Sequence, residues 1–317
     1  MLRKQSKKPS LYLHVGQATH FLRWELSEIS KYFTLVDKPS EDIPLLCFGP
    51  DVLQESSELP ARYRYAVLFP GFGHNPVYND DIKKMHRRII SSKFKSVFIN
   101  PGPLEIAYKG LDNIKFYPFS IDTSLVKYKG PRKNIKKLIH VSSDYPQKDW
   151  RRSEEIMKRT GLKSEVYPQR RPDRVGLIGL ILGSKSGVES THSGKYVDHS
   201  DVITKYNEAD AFVHVARDIK DPLYIDGKYT ASLIEAGLTG CILFWHDTFN
   251  LGNNLKTVFS LPLDPTEAAA EIKRVIRTID VKAHSEMTHS EMLANFNPEN
   301  SVRIRAEVIL EDLRAAD

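Results

Sequence analysis

A chain of 317 residues with 41% hydrophobic content can bury a sizeable core, and its length predicts two domains rather than one. The net charge of +6 suits an anionic partner such as a nucleotide, a phospholipid surface or nucleic acid, but equally a solvated surface, so charge alone excludes no class. The basic start MLRKQSKKPS is followed by LYLHVG, which is too short and too broken for a signal-peptide core or a spanning helix; a cytoplasmic protein is expected, with peripheral membrane contact kept open.

In chain order, LYLHVG (11–16) reads as a strand. FLRWELSEISKYF (21–33) reads as a helix, because Phe21, Leu22, Leu26, Ile29 and Phe33 recur at helical spacing. Strands are expected at PLLCFG (44–49), YAVLFPG (65–71) and KSVFINPG (95–102), with the basic helix NDDIKKMHRRIISSK (79–93) between the last two. Short apolar strands alternating with helices predict a parallel sheet covered on both faces.

KGPRKNIKK (129–137) concentrates charge with Gly130 and Pro131 and reads as an interdomain connection. A second series follows: the strand LIHVSS (138–143), a helix from about Trp150 to Thr160, the strand VGLIGLILG (175–183), a helix at DVITKYNEAD (201–210) and a strand at AFVHVA (211–216). The helix ASLIEAGLTG and the strand CILFW continue the alternation. Two α/β halves imply a ligand cleft at the carboxyl ends of their strands. Cys47 and Cys241 each sit in an apolar run, which predicts two buried, reduced thiols rather than a disulfide or a metal pair. The eleven histidines are scattered and no D-x-D stands at a strand end, so no metal site is expected.

Four stretches carry a family resemblance. YPFSIDTSLVKYKG (117–130) resembles the interdomain P-N-G-V-D-T segment of the GT-B glycosyltransferases, most of all the large retaining family 4, with Pro118, Ile121, Asp122 and Thr123 in register. LIHVSSDYPQKDW (138–150) is similar to the strand and loop that open the family's donor domain and puts Lys148 on its diphosphate-binding lysine. SDVITKYNEADAFVHVA (200–216) resembles the helix and strand before the acidic motif, and DGKYTASLIEAGLTGCILF (226–244) resembles the E-x7-E region, with Glu235 on its second glutamate. EMLANFNPENSVRIRAEVILEDL (291–313) resembles the terminal helix.

The resemblance implies a GT-B architecture: an N-terminal Rossmann-like domain over 1–125, a donor domain over 126–295, and a C-terminal helix over 296–317 packing back on the first domain. The two parallel sheets would face a central cleft. It implies sugar transfer from a UDP- or GDP-sugar to a hydroxyl of a glycan, lipid-linked or small acceptor, with retention, without metal and without a separate cofactor. Nucleic acid is not an expected partner, since no recognised binding module is present.

The residues support roles of the same kind. A helix beginning near Tyr229 and Thr230 presents unpaired N–H groups and a positive dipole end to a diphosphate, with Gly227 and Lys228 just ahead. Glu235, about two turns in, is placed to accept ribose hydroxyls; the alternative is a pairing with a basic residue. Lys148 would neutralise the departing diphosphate, or else be a solvated lysine within QKDWRR. Gly16, after the first strand, marks a loop brought up to the donor phosphate or an ordinary turn. His74, in the loop FPGFGHNP (69–76), is a candidate sugar contact or a structural loop histidine. KKMHRR (83–88) is either a membrane-facing patch or a solvated helix face. Two departures from the family stand out: its arginine is Ser143 here, in the same donor-side loop, and its first glutamate falls on Gly227, leaving Asp226 or Asp221 as a substitute. These departures keep a non-catalytic nucleotide- or glycan-binding protein open as an alternative, beside a nucleotide-sugar epimerase of the same fold.

Overall fold

The computed structural model describes residues 8–16, 19–69, 76, 79–100, 102–117, 120–143, 149–169, 199–215, 229–246 and 255–315. The chain divides into two compact units, one of Met1–Leu125, Ile225–Ala231 and Leu293–Asp317, the other of Val126–Tyr224 and Ser232–Met292.

The first unit is built on a parallel sheet of β1 (Ser10–Val15), β2 (Thr34–Val36), β3 (Leu45–Phe48), β4 (Arg64–Leu68), β5 (Ser96–Ile99) and β6 (Ile114–Phe116), in the order β2-β1-β3-β4-β5-β6. Every pairing is parallel, and the central strands β3, β4 and β5 are buried on both faces and read as nearly continuous apolar runs. Alternation along the strands then divides the core. Leu46, Phe48, Tyr65, Val67 and Phe98 pack under α1 (Thr19–Tyr32) and the C-terminal helix, which contribute Leu22, Ile29, Val302, Ala306 and Ile309. Leu45, Cys47, Ala66, Leu68, Val97 and Ile99 face the opposite layer of α2 (Leu53–Glu58), α3 (Asp80–Lys93) and α4 (Pro103–Ala107). The chain steps from β1 to β2 on one side and to β3 on the other, which makes the carboxyl ends of β1 and β3 a topological switch point, where open α/β sheets bind ligands.

Local chemistry explains the helix ends. Asn79 caps α3 by accepting from the N–H groups of Asp81 and Ile82 at 3.1 and 3.0 Å, satisfying donors that helix geometry leaves unpaired. Within α3 the basic run is largely occupied. His86 is buried, its Nδ1 2.8 Å from the Tyr108 hydroxyl, and Arg87 donates to the carbonyls of Ala107 and Lys109. Lys84 and Arg88 are the exposed cations of the KKMHRR stretch.

The second unit carries β7 (Lys137–Ser143), β8 (Lys163–Gln169), β9 (Ala211–His214), β10 (Ile242–Trp245) and β11 (Val258–Ser260), parallel and in the order β11-β10-β9-β7-β8. One core joins Leu138, Ala211, Val213, Ile242 and Phe244 to α5 (Trp150–Thr160) and α8 (Pro265–Thr278) through Ile156, Met157, Ala268, Ala269, Ile272 and Val275. Between these helices in the chain lie α6 (His199–Glu208) and α7 (Ala231–Leu238); α9 (Val281–Phe296) and α10 (Pro298–Arg314) follow α8.

The expected terminal helix over 291–313 is therefore two helices. Pro298 occupies the first turn of α10 and the Asn297 side chain accepts from Asn300 N–H at 2.9 Å, so the chain restarts a helix where proline forbids continuation of the old one. The expected strand at 175–183 lies outside the described residues.

Cys47 and Cys241 are both free and fully buried. Burial pushes the Cys47 thiol up to about 12 from its ordinary 9.0, with a partial offset from the Ser56 hydroxyl, and burial raises Cys241 in spite of Arg132 beside it. The native protein will leave both thiols unlabelled by iodoacetamide at pH 8, whereas urea-unfolded protein will take up two labels. Because the folded-state value of Cys47 lies above the unfolded one, its contribution is intact below pH 9 and is lost as pH rises from 9 towards 12, by about 1.4 kcal/mol per pH unit. Urea midpoints across that window will show Cys47→Ala with the shallower decline.

Candidate functional site

At the switch point of the first unit, β1 ends in His14, Val15 and Gly16, and β3 runs into Gly49 and a 3-10 turn, Pro50–Val52. The carboxylate of Asp51 lies directly over Gly16: a Cβ there would sit 2.3 and 2.4 Å from its two oxygens, and one on Gly49, whose φ is +123°, would sit 2.6 Å from Oδ1. A side chain at 16 would thus meet the Asp51 carboxylate, which would have to give way. His14 Nδ1 is 2.8 Å from the Ser56 hydroxyl, and its Nε2 is 3.6 Å from Glu55. Gly16→Ala will force the Asp51 side chain to move and will cost about 1–2 kcal/mol of unfolding free energy; in an Asp51→Ala background the same change will cost almost nothing in urea titrations.

Tyr229 and Thr230 lead into α7. Both are half-buried, and the Tyr229 ring meets Phe296 edge-on at 5.1 Å. The helix that follows is short, and from Leu233 onward every residue is buried. It ends because Gly240 takes φ +80° and the N–H groups of Cys241 and Gly240 return to the carbonyls of Ala236 and Gly237 at 3.1 and 2.9 Å, the two reciprocal bonds of a Schellman stop. A Cβ on Gly240 would also sit 2.7 Å from Cε2 of Tyr128.

Glu235 lies in the second turn of α7, 3% exposed. Its charge is felt by Tyr206 on α6: burial raises that phenol well above its ordinary value, and the Glu235 carboxylate raises it further. The Tyr206 hydroxyl has no hydrogen-bond partner among the described residues. The second unit therefore encloses an acid and a phenol, with the buried Arg132 guanidinium donating to the Tyr206 carbonyl at 3.0 Å; an ionised carboxylate so enclosed must be met by donors.

Planar rings line up at the carboxyl ends of the same sheet. His214 and Trp245, opposite one another in β9 and β10, stack at 4.3 Å between centroids, and His140 stacks on His214 at 5.1 Å. His140 Nδ1 donates to the Val213 carbonyl at 2.8 Å, which requires a proton on Nδ1, and its Nε2 is 3.0 Å from the Ser142 hydroxyl. Ser143 is the last residue of β7, opposite Gln169.

Of the sequence candidates, Gly16, the backbone of Ser143, Tyr229, Thr230 and Glu235 are thus located. His74, Lys148, Asp221, Asp226, Gly227 and Lys228 lie outside the described residues. Asp51, His14 and the ring ladder were not singled out by the sequence; period-two pairs such as Phe212 with His214 and Leu243 with Trp245 carried the only signal for the ladder. Among the described residues, no group of three or more His, Cys, Asp or Glu is arranged to hold a metal ion, and no helix is long and apolar enough to cross a membrane.

Two parallel-sheet α/β units in this connectivity have the GT-B fold of glycosyltransferases. HepE of Anabaena, solved in complex with UDP-glucose, superposes with a TM-score of 0.65 at 11% identity, over 96% of this chain and 100% of that one. AviGT4, a glycosyltransferase involved in avilamycin A biosynthesis, gives 0.58 at 10% identity over 97% of each chain. Staphylococcus aureus TarM, solved with fondaparinux, alpha-GlcNAc-glycerol and UDP, gives 0.57 at 13% identity; the match covers 86% of this chain but only 55% of TarM. No family model and no curated relative matches the chain. At these identities the likeness establishes the fold.

Proposed function

We propose that the protein is a glycosyltransferase that moves a sugar, a hexose by its resemblance, from a UDP- or GDP-sugar to a hydroxyl of a glycan, lipid-linked or small acceptor. The observation that carries this reading is Glu235: a buried acid in the second turn of a helix whose start lies in a GT-B fold, on a chain that matches HepE over its whole length. HepE binds UDP-glucose and TarM binds UDP, so a nucleotide-sugar donor is the ligand class the fold favours.

In this reading the first turn of α7, approached through Tyr229 and Thr230, receives the diphosphate at the positive end of the helix dipole, and Glu235 accepts hydrogen bonds from the ribose hydroxyls. The bond between the anomeric carbon and the diphosphate oxygen breaks with its electron pair going to the diphosphate. Lys148 and the helix end stabilise that developing charge, without a metal. The acceptor oxygen bonds to the anomeric carbon from the same face, retaining configuration, and gives up its proton to the departing diphosphate oxygen. His74 and Asp226 hold the transferred sugar. Lys228 is a second cation beside the diphosphate, and Ser143 borders it from the end of β7. Peripheral attachment to an anionic membrane would draw on Lys84 and Arg88.

Titration calorimetry with UDP, GDP and ADP in the presence of EDTA tests the donor site. One nucleotide is expected to bind, and its sugar conjugates then define the donors for an acceptor screen. Failure of all three nucleotides and of their common sugar conjugates would sink the transferase reading. Binding without turnover on any acceptor favours instead a non-catalytic nucleotide-binding protein, which the serine at 143 and the glycine at 227 make a specific second reading.

A further inference from the structure

We infer that Arg132 and Tyr128 hold a small oxyanion of the phosphate class inside the second unit, at a site separate from the donor site proposed above. Arg132 is 8% exposed. Every contact of its guanidinium among the described residues is with a neutral group: Nη2 donates to the Tyr206 carbonyl at 3.0 Å and lies 3.8 Å from Cys241 Sγ. Tyr206 stands near the end of α6, just ahead of β9, and Cys241 directly precedes β10. The guanidinium thus lies by the amino ends of these strands, whereas the donor reading uses their carboxyl ends. All of these residues belong to one compact unit.

Two donors are held in place there. The Arg132 backbone N–H donates to Ser285 Oγ at 3.0 Å, and that hydroxyl donates to the Gly240 carbonyl at 2.6 Å. With Nη2 on Tyr206, the planar fork sets the direction of Nε–H, which is buried without a partner among the described residues. Tyr128 supplies the second donor. Its ring lies parallel to His289 at 3.9 Å between centroids and over Gly240, where a Cβ would sit 2.7 Å from Cε2. Its hydroxyl is likewise buried with no partner among the described residues. Burial raises this phenol and Glu286 raises it further, while Arg132 pulls it down, so hydroxyl and guanidinium are near enough to feel each other's charge. Native proteins leave few buried polar atoms without a partner, and those that remain are met by a ligand, an ion or an ordered water.

Charge separates the candidate occupants. A water oxygen would accept from both donors but bring no charge. The last carbonyls of α6 offer about half a negative charge, and burial keeps the neighbouring Cys241 thiol protonated. The guanidinium is therefore left with an excess of positive charge in a place where desolvation makes that costly. A phosphate-type oxyanion answers the excess and accepts from both donors, and guanidinium–phosphate bonds are among the strong charge-assisted ones. The surroundings draw an anion in. Lys127, Lys129 and Lys133 are exposed in the same stretch, and Tyr128 is only half-buried, so the site opens towards a cationic surface. Glu286, the acid that opposes this field at Tyr128, is itself solvent-exposed and correspondingly screened.

Calorimetry on the full chain with sodium phosphate, at an ionic strength held constant by sodium chloride, tests the site in wild type, Tyr128→Phe, Arg132→Lys and Arg132→Gln. Wild type is expected to bind phosphate. Tyr128→Phe keeps the ring on His289 and Gly240 and deletes only the hydroxyl, and it is expected to weaken phosphate about tenfold, the worth of one hydrogen bond to a charged acceptor. It also serves where an Arg132 variant does not fold. Arg132→Lys keeps the charge without the Nε–H and is expected to lose a similar factor, and Arg132→Gln is expected to abolish binding. Glycerol phosphate in a parallel titration separates the sources: equal affinity identifies free phosphate as sufficient, and tighter binding identifies a phosphate ester. A phosphate affinity unchanged in Tyr128→Phe would mean that the anion binds elsewhere, and would overturn the assignment. No binding by wild type would leave Arg132 as a cap on the last carbonyls of α6, and would overturn it equally. Nucleotide titrations read the donor site independently, because Tyr128→Phe is expected to bind the preferred nucleotide as wild type does.

Discussion

Replacing Arg305 by methionine will lower the free energy of unfolding by about 3–5 kcal/mol, a large share of what a protein of this kind possesses. Arg305 on α10 is 2% exposed and Glu25 on α1 is 3% exposed, and the guanidinium Nη2 lies 2.6 Å from Glu25 Oε2. The rest of the cluster is polar and equally closed off. Ser120 donates to Glu25 Oε1, Ser301 donates to the same oxygen at 3.3 Å, and Arg305 Nε donates to the Ser301 carbonyl at 3.0 Å. The Tyr117 ring lies under the guanidinium at 4.9 Å. Burial raises the Tyr117 phenol, and Arg305 opposes that rise.

Removing the cation leaves a carboxylate that, among the described residues, keeps two serine hydroxyls as donors, and a buried charge without its counter-ion is the costly state. The pair itself contributes much less, because two desolvation penalties offset its attraction. The double substitution Glu25→Leu with Arg305→Met will therefore lie closer to wild type than either single change in urea unfolding. A double variant whose loss equals the sum of the two single losses would show that the groups do not couple. The chemistry of the cluster also serves the architecture. It ties α1, α10 and the stretch around Ser120 into one unit, although 276 positions separate Glu25 from Ser301.

That tie shows where the sequence stops being legible. The long elements could be read from it: α1 from Leu22, Leu26 and Ile29, α5 between Trp150 and Thr160, and the apolar strands β3, β4 and β5, whose burial on both faces leaves a continuous hydrophobic run. Strands of three residues such as β2, β6 and β11 are too short to display any period, and their place is set by the neighbour they pair with. The helix α8 did carry a signal that was passed over, since Asp264 followed by Pro265 and the spacing of Ala268, Ile272 and Val275 are a capped amphipathic helix. Glu25 and Arg305 look like ordinary surface residues of two amphipathic helices, because a buried ion pair is defined by a partner hundreds of positions away. The candidate site divides in the same way. Glu235 was visible as an acid among small apolar residues, whereas Asp51 over Gly16 depends on backbone paths that no local pattern announces.

Glu235→Ala will weaken binding of the preferred nucleotide by about 10- to 100-fold, or about 1.4–2.8 kcal/mol. The size follows from the geometry required of a carboxylate that is 3% exposed. In the proposed donor site the two hydroxyls of a ribose would supply two hydrogen bonds to this charged acceptor, each worth about 1.5–3 kcal/mol before the desolvation of both partners is subtracted. The 2′-deoxy form of the same nucleotide separates this role from a structural one. Wild type will lose affinity for the deoxy compound, and Glu235→Ala will lose little further, because the two changes delete the same contact. Glu235→Gln, with one acceptor oxygen in place of two, will fall between them. If the acid instead answers a basic residue of the protein, the alanine variant will unfold about 3–5 kcal/mol more easily and will discriminate ribose from deoxyribose as wild type does. The ratio of the two affinities, rather than either alone, therefore decides whether the one acid in this apolar helix faces substrate or protein.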